Sequence, residues 1–118
     1  MPVVDSVFLL AENVSGVTIA SVRCEKITER EASFLGPELT TAAEASGHKL
    51  VLDMEQVVFL ASAGSGTLVS AHRDCKAAGG KLAVCNVSPD ILEVLKLTRL
   101  HKLFTISKSK DAAIKAVS

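Results

Sequence analysis

The sequence predicts an α/β fold in which an N-terminal β-hairpin precedes alternating strands and helices. Short runs of aliphatic and β-branched residues recur along the chain, and after residue 28 helical patterns separate them. The length of 118 residues suits one domain built around one hydrophobic core. We therefore expect residues 1–118 to form a single domain, with helices packed on a mixed sheet of about four to five strands.

The first two strands are predicted from Val7–Ala11 and Val17–Val22. Between them, Asn13-Val14-Ser15-Gly16 has the composition of a turn, and β-branched residues alternate in the second run. This pattern is typical of a β-hairpin.

Thr28 and Glu31 have the spacing of a capping box, which predicts a helix from Thr28 to about Ala45. Gly36-Pro37 is expected to kink this helix or split it in two, because proline lacks an amide hydrogen. Gly47 is expected to end it.

The middle of the chain contains a short apolar strand, Lys49–Asp53, which Val57–Leu60 either continues or connects to the next element. A helix is predicted from Ser62, and Gly79-Gly80 is expected to end it. Its buried face is marked by small and apolar residues spaced three and four apart: Gly64, Leu68, Ala71, Cys75 and Ala78.

The last part predicts a strand at Leu82–Cys85, a helix from Ser88-Pro89-Asp90, a strand at Leu103–Ile106 and a helix at Lys110–Val117. The inward-facing side chains of the two helices are expected to be Ile91, Leu92, Leu95, Leu100, Ala113, Ile114 and Val117. The predicted order is ββαβαβαβα, with parallel strands after the hairpin.

Composition argues against a nucleic-acid-binding protein, since 13 acidic and 13 basic residues cancel and four phenylalanines are the whole aromatic content. The charge is nevertheless uneven along the chain. Residues 1–60 contain nine acids and four bases, and residues 61–118 contain four acids and nine bases. We expect an acidic and a basic flank in the folded molecule.

The thiols are expected to be reduced, in a cytoplasmic protein that does not insert into membranes. Cys24, Cys75 and Cys85 are an odd number without a C-x-x-C pair, and the N-terminus lacks a signal-peptide pattern. His72 and Cys75 are two ligands at helical spacing, too few for a metal site, and Cys85 is expected to be an inert core thiol.

Ser62 is the residue of greatest functional interest, because a hydroxyl at a helix N-terminus lies where amide groups and the helix dipole favour a phosphate. Ser65 and Thr67 also lie near this helix N-terminus. They are expected to be either secondary phosphorylation sites or polar surface residues. The structural alternative makes Ser62 an N-cap that contributes about 1 kcal/mol.

The segment Leu50–Gly64, with its loop Ala61-Ser62-Ala63-Gly64-Ser65, resembles the signature of the STAS domain of bacterial anti-sigma factor antagonists. The resemblance continues through Gly79–Pro89, Leu97–Leu100 and Leu103–Ile106, and it covers about Lys49 to Val117. It places the phosphorylatable serine of the family at Ser62. Four positions depart from the family pattern: Ala61 replaces aspartate, Ala63 replaces serine, Ser65 replaces leucine and Arg99 replaces glycine.

The resemblance implies a non-enzymatic regulatory protein without cofactor or metal, whose partner is an anti-sigma factor with a serine-kinase ATPase fold. The implied binding residues are those of the loop: Ala61, Ser62, Ala63, Gly64 and Ser65. The alternative is a non-switching STAS subunit of a transporter or signalling scaffold. A homodimer is left open, and so is the role of the basic cluster Lys96, Arg99, His101 and Lys102, either a solvated face or a dock for an acidic partner.

Overall fold

A computed structural model describes residues 2–118. Its strands are β1 (Val4–Asp5), β2 (Leu9–Val14), β3 (Val17–Val22), β4 (Lys26–Ile27), β5 (Lys49–Asp53), β6 (Phe59–Leu60), β7 (Lys81–Cys85) and β8 (Thr105–Ser107). Its α-helices are α1 (Glu29–Glu44), α2 (Ser62–Ala77), α3 (Pro89–Leu97) and α4 (Lys110–Val117), and a 3-10 helix spans Leu100–Lys102.

The main sheet has six strands in the order β1-β2-β3-β5-β7-β8, and β4 pairs with β6 in a separate two-stranded sheet. Strands β1 to β3 are antiparallel, whereas β3, β5, β7 and β8 run parallel. The predicted α/β class and mixed sheet are confirmed. The expected number of about four to five strands is too low, because two residues of β1 are too few to produce a periodic pattern.

The helices cover the two faces of the sheet unequally. Helices α1, α2 and α3 each connect two parallel strands in the same direction across the sheet, so crossovers of one hand place all three on one face. Helix α4 packs on the opposite face. There Ala113 and Val117 contact a small core built from Val17, Val51, Ala83 and Cys85.

The hairpin is confirmed, but its turn is tighter than predicted. Val14 pairs with Val17, so Asn13 and Val14 belong to β2 and the turn consists of Ser15 and Gly16. These two residues have φ angles of 53° and 84°, as a type I′ turn requires.

Helix α1 begins with the predicted capping box of Thr28 and Glu31 and continues through Pro37 without splitting. Of the two predicted effects of Gly36-Pro37, a kink or a split, the split does not occur, because Leu35 and Leu39, on either side of the proline, are both buried in the same core. Packing on the sheet outweighs the one hydrogen bond that Pro37 cannot donate.

The C-terminal third contains two smaller corrections. Strand β8 begins at Thr105, because the 3-10 helix occupies Leu100–Lys102 and leaves Leu103 41% exposed. Ala78 is exposed beyond the last turn of α2, where an inward-facing residue was predicted. Helix α4 has the predicted bounds.

Candidate functional site

The loop between β5 and α2 is held by backbone hydrogen bonds to the segment before α1. The amides of Val58 and Phe59 donate to the carbonyl of Glu25 at 2.7 and 3.1 Å, and the amide of Ala61 donates to that of Ile27 at 3.0 Å. Residues 57–60 therefore do not extend β5; they lead to α2 through the separate β4–β6 pair. These bonds fix the position from which α2 starts.

Ser62 is the first residue of α2 and is exposed to solvent. The N-cap is Ala61, whose carbonyl accepts from the amide of Ser65 at 3.0 Å, so the interpretation of Ser62 as an N-cap is wrong. Within residues 2–118 the Ser62 hydroxyl has no hydrogen-bond partner. Amides in the first turn of a helix lack carbonyl partners in the helix, so this hydroxyl lies beside unpaired donors.

Gly64 allows α2 to pack closely against β4 and β6. A Cβ atom at Gly64 would lie 2.7 Å from Cδ1 of Leu60 and 2.8 Å from the carbonyl oxygen of Ile27. Of the five predicted binding residues, Gly64 is buried, Ser62 is exposed, and Ala61, Ala63 and Ser65 are half-buried. Gly64 thus positions the loop, and Ser62 is exposed to solvent at its end.

The sequence did not predict that two apolar side chains on the segment leading to Ser62 are exposed. Val58 is 56% exposed and Phe59 is 50% exposed, while their neighbours Val57 and Leu60 are buried in the core. The sequence shows only a continuous apolar run here, so it does not distinguish inward from outward positions. We call the exposed residues Val58, Phe59 and Ser62 the Ser62 surface.

A second apolar surface lies at the same end of the sheet. Val7 and Phe34 are 79% and 53% exposed, and the Phe8 and Phe34 rings pack with centroids 5.6 Å apart. Leu9 pairs with Val22, so this loop projects from the carboxyl edge of the parallel strands, where α2 also begins.

Asp53 anchors the base of the loop. Its Oδ1 accepts from Asn86 Nδ2 at 3.1 Å and from the amide of Glu55 at 3.0 Å, and Lys110 Nζ lies 3.5 Å from its Oδ2. The side chain of Asp53 is only 8% exposed, and these contacts join the end of β5 to the residue that follows β7 and to the start of α4. In the sequence, this role of Asp53 is indicated by an acidic residue at the end of an otherwise apolar strand.

The cysteines are poorly suited to nucleophilic chemistry. Cys75 and Cys85 are fully buried, and burial raises the pKa of each thiol to about 11. Burial also raises the pKa of Cys24, with a further contribution from Glu31. Each thiol therefore stays protonated near neutral pH.

The other sequence candidates lie apart from Ser62 or are engaged in the helix. The Thr67 hydroxyl donates to the carbonyl of Ala63 at 3.1 Å, which satisfies it within α2. Arg99 is exposed with φ of 62°, a left-handed conformation that explains why glycine suits this position in the family pattern. Across residues 2–118, no group of three or more metal-ligating side chains converges and no helix has the length and apolarity to span a membrane.

Comparison with known proteins agrees with the fold. The sequence matches the STAS domain family over residues 10–113, which includes the hairpin as well as the segment in which the resemblance was recognised. BtrV of Bordetella bronchiseptica, named as an anti-sigma factor antagonist, is 23% identical over 108 residues, 92% of each chain.

Two solved structures show how widely this architecture is used. An anti-sigma-factor antagonist (STAS) domain protein from Planctomyces limnophilus has a TM-score of 0.83 and 25% identity, covering 93% of this chain and 97% of the other. The murine anion transporter Slc26a9 has a TM-score of 0.72 and 14% identity, covering 89% of this chain and 18% of the transporter. The family match and the shared architecture together show that the chain belongs to the STAS domain family.

Proposed function

We propose that this protein is an anti-sigma factor antagonist that binds an anti-sigma factor with a serine-kinase ATPase fold through the Ser62 surface. The observation that carries the proposal is the exposed Ser62, the first residue of α2, together with the exposed side chains of Val58 and Phe59 on the segment that leads into this helix. Apolar side chains around a polar centre are typical of a protein interface. Binding of the unmodified protein sequesters the partner and so frees a sigma factor.

Phosphorylation of Ser62 acts as the release step. The kinase transfers the terminal phosphoryl group of ATP to Ser62 Oγ, which loses its proton, and ADP leaves. The product carries about −1.5 to −2 charges at neutral pH. The first-turn amides of α2 stabilise this group, so the helix stays folded. The charge then lies on the same surface as Val58 and Phe59 and opposes their desolvation against the partner.

The test measures the affinity of an anti-sigma factor with a serine-kinase ATPase fold, taken from the same genome, for the wild type and for Ser62→Ala and Ser62→Asp. We expect Ser62→Ala to bind like the wild type and Ser62→Asp to bind at least about tenfold more weakly, a loss near 1.4 kcal/mol. Ser70→Asp is the matched control, since it adds the same charge at an exposed position two turns along α2.

Mass spectrometry after incubation with the partner and ATP should locate phosphate on Ser62. Labelling elsewhere, together with equal affinities for Ser62→Asp and Ser70→Asp, would refute the switch.

A second function is favoured by Ala61, which supplies no carboxylate beside the hydroxyl, and by the fold shared with the anion transporter. In that case the protein is a non-switching STAS subunit of a transporter or signalling scaffold. Ser62→Asp then leaves partner binding unchanged, and the protein co-purifies with a membrane transporter.

A further inference from the structure

A groove of about 350 Å³ lies at the end of α2 opposite to Ser62. Its walls come from the second half of α2, the start of β7 and the segment around the 3-10 helix. The basic side chains lining it are His72, Lys76, Lys81 and Lys102. Because Ser62 is at the other end of α2, the groove is separate from the proposed partner surface.

The charged side chains that line the groove are all basic among the described residues. Lys76, Lys81 and Lys102 come from three different elements and are exposed, and no acidic residue is among its lining side chains within residues 2–118. The sequence indicated only one part of this arrangement, the basic cluster that contains Lys102. Three ammonium groups around one concavity favour an anion with more than one negative charge.

Two further polar residues, His72 and Thr105, line the groove. The ring of His72 packs edge-on against Phe104 at 5.7 Å, and its Nδ1 atom is buried without a hydrogen-bond partner within residues 2–118. Two carbonyls near the end of α2 already accept hydrogen bonds, that of Lys76 from Gly79 at 3.1 Å and that of Cys75 from Gly80 at 2.8 Å. Their pairing weakens the repulsion that a helix C-terminus exerts on an anion.

We propose that this groove, which His72 also lines, binds a small soluble anion carrying two or more phosphate groups, held by Lys76, Lys81 and Lys102. The concave shape favours a small molecule over a flat protein surface, and the volume is near the lower end of that of small-ligand sites. Lysine binds phosphate as a point charge, without the planar geometry that arginine requires. The groove and Ser62 lie at opposite ends of α2, so this ligand and a phosphate on Ser62 do not compete for the same surface.

The test titrates inorganic pyrophosphate into the full chain by calorimetry. We expect binding that weakens about fivefold for each lysine replaced by glutamine, so that Lys76→Gln, Lys81→Gln and Lys102→Gln together abolish it. The matched control replaces Lys26, Lys108 and Lys115, which are exposed, lie outside the groove and the basic cluster, and change the net charge equally when lost. This control should retain most of the affinity.

Titration of His72 by NMR provides a second measurement. Burial lowers the pKa of His72, and the positive charges of Lys76 and Arg73 lower it further. The nearby Lys81 and Lys102 line the same groove. A bound pyrophosphate should raise this pKa, and the groove triple variant should lose that response while the control keeps it.

Three outcomes would overturn the proposal. The first is equal weakening in the two triple variants, which would mean that only net charge matters. The second is a His72 pKa that pyrophosphate does not move. The third is binding confined to a glutamate-rich peptide or to phosphatidylglycerol vesicles, which would assign the basic surface to a protein or to a membrane.

Discussion

Gly64 and Gly66 both lie in α2, but the space around the two residues differs. A Cβ at Gly64 would lie 2.7 Å from Leu60 Cδ1 and 2.8 Å from a backbone oxygen, whereas a Cβ at Gly66 meets no described atom within 4 Å. We expect Gly64→Ala to destabilise the protein by about 1–3 kcal/mol through overpacking. Gly66→Ala should stabilise it by about 0.5–1 kcal/mol, because alanine loses less backbone entropy in a helix.

Urea unfolding followed by circular dichroism measures both changes. Equal effects of the two substitutions would contradict the close packing of α2 on β4 and β6. In the Ser62 binding assay, Gly66→Ala serves as a folded control for Gly64→Ala.

At the candidate site, the sequence predicts the position of one residue but not the exposure of two others. The position of Ser62 was predictable, because the strand, the loop of small residues and the helical pattern follow one another directly. The exposure of Val58 and Phe59 was not, since Val57–Leu60 is uniformly apolar and only the pairing of β6 with β4 decides which side chains face solvent. That pairing joins residues about thirty positions apart, a separation that local patterns do not encode.

At the scale of elements, α1 offers a test through the capping box. The amide of Thr28 donates to Glu31 Oε1 at 2.9 Å, and the Thr28 hydroxyl donates to the same oxygen. These bonds, the hydroxyl first, lower the pKa of Glu31 below its ordinary value of 4.5. A carboxyl with a lowered pKa in the folded state contributes stability above its unfolded pKa, and loses that contribution as the pH falls through the folded value.

We therefore expect Glu31→Gln to be less stable than the wild type at pH 7, with the difference shrinking as the pH is lowered below about 4.5. Thermal unfolding between pH 7 and pH 3 measures it. Glu29→Gln is the control, because Glu29 is also an acid of the first turn but is not part of the capping box. A difference that stays constant over this range would show that the charge of Glu31 is not involved.

The helices that sequence patterns identified best, α3 and α4, have periodic apolar faces, and for α3 the N-cap Ser88 was predicted as well. Ser88 and Ser109 accept hydrogen bonds from the amides of Ile91 and Ala112 at 3.2 and 3.1 Å, as N-caps do. Strands β1, β4 and β6 contain two residues each and have no periodicity of their own. They are formed by pairing partners instead of by local preference, so their existence could not be predicted.

At the scale of the whole molecule, a net charge of zero conceals an uneven distribution of acidic and basic residues. The acid-rich residues 1–60 build β1, β2, β3 and β5 at one side of the sheet, and the base-rich residues 61–118 build β7 and β8 at the other. The expected acidic and basic flanks are thus consistent with the strand order. The sequence shows the charge imbalance between the two halves of the chain, and the strand order shows that it runs across the sheet.

We expect this arrangement to make the protein bind both anion and cation exchangers at pH 7 and low salt, despite its zero formal charge. The groove variant lacking Lys76, Lys81 and Lys102 should lose cation-exchange retention more than the variant lacking Lys26, Lys108 and Lys115, because only the first removes charges that line one groove. Passage of the wild type through both resins would show that the charges are evenly mixed.

The strand order also has a consequence for synthesis. From β3 to β8 the parallel strands are added to the sheet in the order in which the ribosome makes them, so each can pair with a neighbour that already exists. Helix α4 follows all the strands in the sequence, yet it covers Val17, Val51 and Ala83, which emerge much earlier. One face of the nascent sheet therefore stays open to chaperones and to other chains until α4 has left the ribosome and packed on it.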